Sequence, residues 1–171
     1  MKKIYIYFGD EIKPFGRRKL SKKDKALFKA RAGRVEFLLS RSLLARARRR
    51  GRVCVSHKKF DLGAVAAVGI SNLKFGLDLE ELKERDFAAV IDFCFNDYEK
   101  FLFGVCEASQ KTLLFYQIYT IKEAIIKARN LDFAALGKVG LSESGARDER
   151  GRLMRFKTYL LYDKFVISLC F

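Results

Sequence analysis

The segment Lys74-Phe75-Gly76-Leu77-Asp78-Leu79-Glu80 alternates with a period of two, which suits an extended strand and no helix. Leu77 and Leu79 then share one face and can sit on a core, while Asp78 and Glu80 share the other. A strand with two carboxylates on one face must set that face against solvent, a cation or hydrogen-bond donors, because an unpaired charge is costly to bury. Taken alone, the Asp-x-Glu pair is also an ordinary solvated strand face. Its meaning depends on what the rest of the chain brings to it.

Upstream, Ile4-Tyr5-Ile6-Tyr7-Phe8 reads as a first strand; Lys2-Lys3 before it resembles the start of a secretory leader, but Gly9-Asp10-Glu11 cuts the apolar run short. After Pro14, residues 21–50 have helical character. Ser21 can cap the start, and Phe28, Val35, Leu38, Leu39 and Leu43 recur at helical spacing. Arg31, Arg34, Arg41, Arg46, Arg48 and Arg49 take the other faces, Gly33 is a point of interruption and Gly51 the stop. Val53-Cys54-Val55 reads as a short strand leading into Ser56-His57, and Ala64 to Val68 as the next, turned by Gly69 to Asn72. Downstream, Phe87 to Phe103 reads as a helix broken near Asn96, and Thr112 to Arg129 as a long second helix. Glycines, serines and charges between Leu136 and Gly151 suggest a mobile connection. Leu153 to Leu161 and Phe165 to Phe171 then form a closing hairpin around Asp163-Lys164. The fold class expected is α+β in two halves, residues 1–75 and 76–171.

A chain of 171 residues that is 50% hydrophobic can bury one core or two small packed halves. No run approaches the roughly 18 apolar residues of a membrane span, so no membrane partner is expected. The four cysteines lie far apart and read as reduced thiols of a cytoplasmic protein, and a single histidine leaves little material for a zinc site or a Ser-His-Asp triad. Carboxylates and lysines must carry any chemistry. The net charge of +15 points to an acidic partner: nucleic acid, an anionic membrane, a nucleotide-like cofactor or an acidic protein.

Asp78, Glu80 and the helical Glu123 supply three hard oxygen ligands of the kind that hold Mg²⁺ together with waters and phosphate oxygens. Glu123 and Lys127 lie four apart on one helix face. They either form an ordinary ion pair, or divide into a carboxylate for metal or hydroxyl and an ammonium for phosphate. Lys122 adds a second cation nearby.

Gly76-Leu77-Asp78-Leu79-Glu80, followed on the long helix by Phe115 and Tyr119-Thr120-Ile121-Lys122-Glu123-Ala124-x-x-Lys127, resembles the paired signature of the 4'-phosphopantetheinyl transferases. Between them Phe95-Asn96-Asp97-Tyr98-Glu99 is similar to the family's Phe-Ser-x-x-Glu element, and Ser56-His57 and an arginine-rich helix precede both in the family's order. The resemblance covers roughly residues 20 to 135 and favours the longer, pseudo-dimeric type over the short trimeric carrier-protein synthases. Tyr119 stands where the family usually has tryptophan, Asn130 where a glycine often follows, and Asn96 where serine is usual. Between Arg46 and Val53 the Gly-Lys-Pro segment of the longer members is missing, so the first half is trimmed.

The resemblance implies two similar α+β halves, with antiparallel strands packed on long helices about a pseudo-twofold. It implies a monomer that moves phosphopantetheine from coenzyme A to a serine of an acidic acyl or peptidyl carrier protein with Mg²⁺, Mn²⁺ being an alternative. A housekeeping acyl carrier protein of fatty acid synthesis is the expected partner. Asp78, Glu80 and Glu123 would bind metal, with Glu81 a weaker substitute for Glu80. Glu123 would be the general base and Lys127 would stabilise phosphate charge. Lys25, Arg34, Arg41, Ser56, His57, Lys122 and Lys127 would contact coenzyme A. Two other readings remain: a small basic nucleic-acid-binding module, motivated by Arg46-Ala47-Arg48-Arg49-Arg50-Gly51-Arg52, and a non-catalytic carrier-binding homologue.

Overall fold

The computed structural model describes all residues except 1, 2, 17–19, 32, 48, 49 and 62, and of Lys29 the backbone alone. Lys2, Arg48 and Arg49, which entered the reading above, lie outside the described residues. The chain divides into two compact units, Met1–Leu73 and Lys74–Phe171.

The first unit runs β1 (Ile4–Gly9), α1 (Lys22–Arg31), α2 (Val35–Arg46), β2 (Arg52–Phe60) and β3 (Gly63–Ser71), with the strands antiparallel in the order β1-β3-β2. Its core lies where Leu39 and Leu43 of α2 meet Ala64, Ala66, Val68 and Ile70, alternate residues of the central strand. Because β3 pairs on both sides, it continues through Gly69, expected in a turn, to Ser71, opposite Ile4 and Arg52. β2 likewise extends to Phe60, so Ser56 and His57 lie inside the strand and not after it. The expected single helix is two helices, separated around Gly33 and ending at Arg46, well before Gly51. Ser21 does cap α1, its Oγ accepting the Asp24 N–H at 3.1 Å.

The second unit runs β4 (Gly76–Glu81), α3 (Ala88–Cys94), α4 (Asp97–Val105), α5 (Lys111–Arg129), β5 (Gly140–Ser142), β6 (Gly145–Arg147), β7 (Leu153–Met154), β8 (Phe156–Leu161) and β9 (Phe165–Cys170). Two antiparallel sheets result, β4-β9-β8 and β5-β6-β7. Helix α5 lies along the first, burying Phe115, Ile118, Ile121 and Ile125 in one cluster with Val166 and Cys170. The contact also carries a buried hydroxyl chain: Thr120 Oγ1 lies 2.7 Å and Thr158 Oγ1 2.9 Å from Ser168 Oγ, and Thr120 donates to the Tyr116 carbonyl at 2.7 Å. A hydroxyl buried this deeply is costly without such partners, so the chain fixes the register of α5 on β9. Asn130 ends α5 in the left-handed conformation (φ 58°), with Leu131 N–H returning to the Ile126 carbonyl. Asparagine therefore does the work of a glycine cap there.

The connection expected to be mobile between 136 and 151 holds a 3₁₀ segment (Phe133–Lys138) and two strands. Asp148, 1% exposed, organises its far end. The Asp148 carboxylate accepts the N–H groups of Arg150 and Arg152 at 3.0 and 2.9 Å and pairs with the guanidinium groups of Arg152 (2.9 Å) and Arg129 (2.5 Å). Burial pushes this carboxyl up, but the backbone donors of Arg152 and Arg150 and the arginines outweigh it, so the group ionises below its ordinary range. The closing turn falls on Tyr162 and Asp163, both left-handed (φ 54° and 49°), one residue earlier than the reading from sequence. Among the described residues no helix is long and apolar enough to cross a membrane.

Candidate active site

Asp78 pairs with Ser168 and Glu80 with Val166, so both carboxylates lie on the sheet face that α5 covers. What lets helix and strand approach is Gly76, two residues before Asp78 on the same face. A Cβ there would collide with the Ala124 carbonyl oxygen and sit 2.5 Å from the Ala128 nitrogen, both backbone atoms of α5 that cannot step aside. Gly76→Ala is therefore expected to lower stability by at least about 1–3 kcal/mol through overpacking and to part Asp78 from its partners on α5. An unchanged urea midpoint would show that the helix does not press on the strand there.

From that anchor, Gly76, Asp78 and Glu80 run along the strand while Lys127, Glu123 and Tyr119 follow at four-residue intervals along one face of α5. Lys127 Nζ reaches across to Asp78 Oδ1 at 2.6 Å, with Asp78 buried and Lys127 partly so. Lys127 thus bridges helix and strand instead of serving only its own helix. The Glu123 carboxyl is pushed up, first by burial and then by the negative charge of Asp78, with a smaller push from Glu80; Lys127 and the Tyr119 hydroxyl pull it the other way. Tyr119 Oη donates to Glu123 Oε1 at 3.4 Å. Burial and the charges of Glu123, Glu80 and Asp78 push the Tyr119 phenol up as well.

The donor chemistry of this cluster fits a hard divalent cation. Asp78, Glu80 and Glu123 offer hard carboxylate oxygens, the donors such a cation takes, and a bound cation would offset their negative charge. Among the described residues, however, no three His, Cys, Asp or Glu side chains are placed so as to hold a metal ion together, and Lys127 holds Asp78 Oδ1.

Lys122, expected on phosphate or in solvent, does neither. It is 0% exposed, and its Nζ donates to Glu99 Oε2 and to the Val139 carbonyl, each at 2.6 Å. Glu99 also accepts the N–H of Asn96 at 2.9 Å and of Leu141 at 2.8 Å, while Asn96 Oδ1 accepts the Glu99 N–H. The Asn96-x-x-Glu99 element is thus the capping box of α4, with its glutamate sunk onto Lys122. That capping pattern is legible in sequence; the destination of Glu99 is not. Burial pushes Glu99 up and Lys122 down, each opposed by the charge of the other. Gly140 (φ 134°) leaves room for the pair, since a Cβ there would strike both side chains.

In the first unit Lys25 and Arg34 are exposed. Arg41 is not available in the manner expected: its guanidinium holds Asp24 Oδ1 through Nη2 (2.6 Å) and Nε (2.8 Å), donates to Ser40 Oγ and lies over the Phe37 ring. Asp24, which the reading from sequence passed over, turns this arginine into a clamp between α1 and α2. Ser56 and His57 sit opposite Ala67 and Ala66 in β2, the first buried and the second half-buried. Neighbours on a strand face opposite ways, so the two side chains project from opposite faces of β2.

One comparison with known proteins covers the segment that carries this strand and helix. Residues 74–167 match the family model described as the 4'-phosphopantetheinyl transferase superfamily. The chain belongs to that superfamily. The matched span contains Asp78, Glu80, Glu99, Lys122, Glu123 and Lys127, and it coincides closely with the second unit, Lys74–Phe171. No curated protein matches the chain. Phosphopantetheinyl transferases act on carrier proteins with coenzyme A as the donor and typically use a divalent metal.

Proposed function

We propose that this phosphopantetheinyl transferase moves the 4'-phosphopantetheine of coenzyme A onto a serine of an acyl or peptidyl carrier protein, releasing 3',5'-ADP, in a Mg²⁺-dependent reaction. The observation that carries the reading is the meeting of Asp78, Glu123 and Lys127 across β4 and α5, with Lys127 2.6 Å from Asp78. Asp78, Glu80 and Glu123 are the residues that would hold the cation, which when bound neutralises pyrophosphate charge and orients it for in-line attack. The carrier serine Oγ attacks the phosphorus that bears the pantetheine, a new P–O bond forms, and the bond to the oxygen shared with the nucleotide phosphate breaks. Glu123 takes the serine proton. Lys127 stabilises charge on the departing phosphate.

Lys25, Arg34 and His57 are assigned to the phosphates of coenzyme A. Arg41 and Lys122 are left to structural roles, since Asp24 and Glu99 occupy them. Phe93 and Phe101, 63% and 62% exposed on α3 and α4, offer an apolar seat for the carrier, while Phe87, Phe95 and Tyr116 belong to the core. The charge of +15 suits an acidic carrier of fatty acid synthesis, with the enzyme acting as a cytoplasmic monomer.

The test is mass spectrometry of apo-carrier incubated with the protein, coenzyme A and Mg²⁺. The expected result is a mass gain of one phosphopantetheine. Failure of every acyl and peptidyl carrier from the same cell to gain mass would overturn the reading. Salt-sensitive retention on duplex nucleic acid without turnover would favour the basic-module alternative instead.

A further inference from the structure

We propose that Tyr119 is a positioning residue for Glu123, its hydroxyl holding one carboxylate oxygen so that the side chain stays turned toward Asp78 and Glu80 when a divalent cation binds. The proposal rests on the reading that these three carboxylates hold a cation. It concerns a residue to which that reading gives no part.

Tyr119 precedes Glu123 by one turn of α5, the spacing at which helical side chains meet. Its hydroxyl lies 3.4 Å from Glu123 Oε1, within reach but longer than an optimal bond. The ring carrying that hydroxyl is not loose. It stacks on Phe115 with centroids 5.9 Å apart and planes at 10°. Phe115 stacks in turn on Phe95 (5.5 Å, 18°) and on Phe87 (4.0 Å, 22°), both buried. A phenol mounted on a packed aromatic column is a fixed donor. Such a donor, placed at Glu123 Oε1, tethers that carboxylate. Glutamate has three side-chain torsions, so a tether on Glu123 lowers the freedom that this ligand would otherwise lose at binding.

Tyr119→Phe removes the hydroxyl and keeps the ring. The experiment titrates Mn²⁺ into wild type and into Tyr119→Phe, with coenzyme A present and carrier omitted, and reads free Mn²⁺ by electron paramagnetic resonance against a protein-free control. The expected result is binding weakened about tenfold, the lower end for a hydrogen bond to a charged group. The thermal midpoint should be unchanged. In turnover, the Mn²⁺ concentration for half-maximal rate should rise in step, while the rate at saturating Mn²⁺ stays within about threefold, a smaller loss than removal of a general base brings. Equal Mn²⁺ binding by the two proteins would overturn the role of Tyr119 and leave the transferase reading standing. Weaker binding accompanied by a lower thermal midpoint would assign the effect to packing and also overturn it. Wild type retaining no Mn²⁺ beyond the control would overturn this proposal and the assignment of the carboxylates to a cation together, whatever the carrier assay shows.

Discussion

Glu123→Gln is expected to fold normally and to lose phosphopantetheine transfer by roughly 10²–10⁴-fold, the range for removing a positioned general base. Glutamine keeps the length of the side chain and an oxygen for the Tyr119 hydroxyl, so the packing of α5 on β4 should survive. The charge it removes is one the folded protein holds at a cost: burial and the neighbouring Asp78 both work against ionised Glu123. Relief of that repulsion should leave the thermal midpoint unchanged or raised, the pattern expected where a site is kept at the expense of stability. The measurement is a single-turnover assay at saturating Mg²⁺ beside a thermal melt. Asp78→Asn serves as a companion, since it weakens the contact with Lys127 as well as the cluster. Glu123→Gln with a rate within threefold of wild type would remove Glu123 from both the base and metal assignments.

The largest effect on stability is expected at Lys122. Lys122→Ala leaves the Glu99 carboxylate fully buried with only the Asn96 and Leu141 N–H groups to serve it. Breaking a buried pair from one side typically costs about 3–5 kcal/mol, because the remaining charge stays uncompensated. For a domain of modest stability that approaches the whole margin. The double change Lys122→Met with Glu99→Gln should recover much of the loss, since removing both charges also removes their desolvation cost. Urea unfolding of both variants beside wild type measures this. A cost below about 1 kcal/mol for Lys122→Ala, the scale of an exposed pair, would mean that the lysine is not committed to Glu99 and would return it to the coenzyme A phosphates.

The two residues mark where local and long-range information separate. Strand β4 and helix α5 are legible because each is set by a short-period pattern within its own segment, and the break at Asn96 because its capping signal lies within four residues. The carboxylates of the candidate site were legible for the same reason: Asp78 and Glu80 must share a face of any strand that buries Leu77 and Leu79. The segment from 136 to 151 was not legible, because its strands are short and its order depends on Arg129, distant in sequence, reaching Asp148.

The chain alone therefore determined the type of most elements, the face that each carboxylate occupies and the family signature. Tertiary structure decided which cations those carboxylates keep. On the helix, Glu123 and Lys127 looked like a pair four residues apart, yet Lys127 bridges to Asp78. Lys122, a residue away, turns inward to Glu99, and Arg41 is claimed by Asp24. A period of 3.6 assigns a side chain to a direction, but the partner waiting there comes from a segment that periodicity does not see. For charged groups the partner matters more than the direction, because burial makes an unpartnered charge too costly to keep.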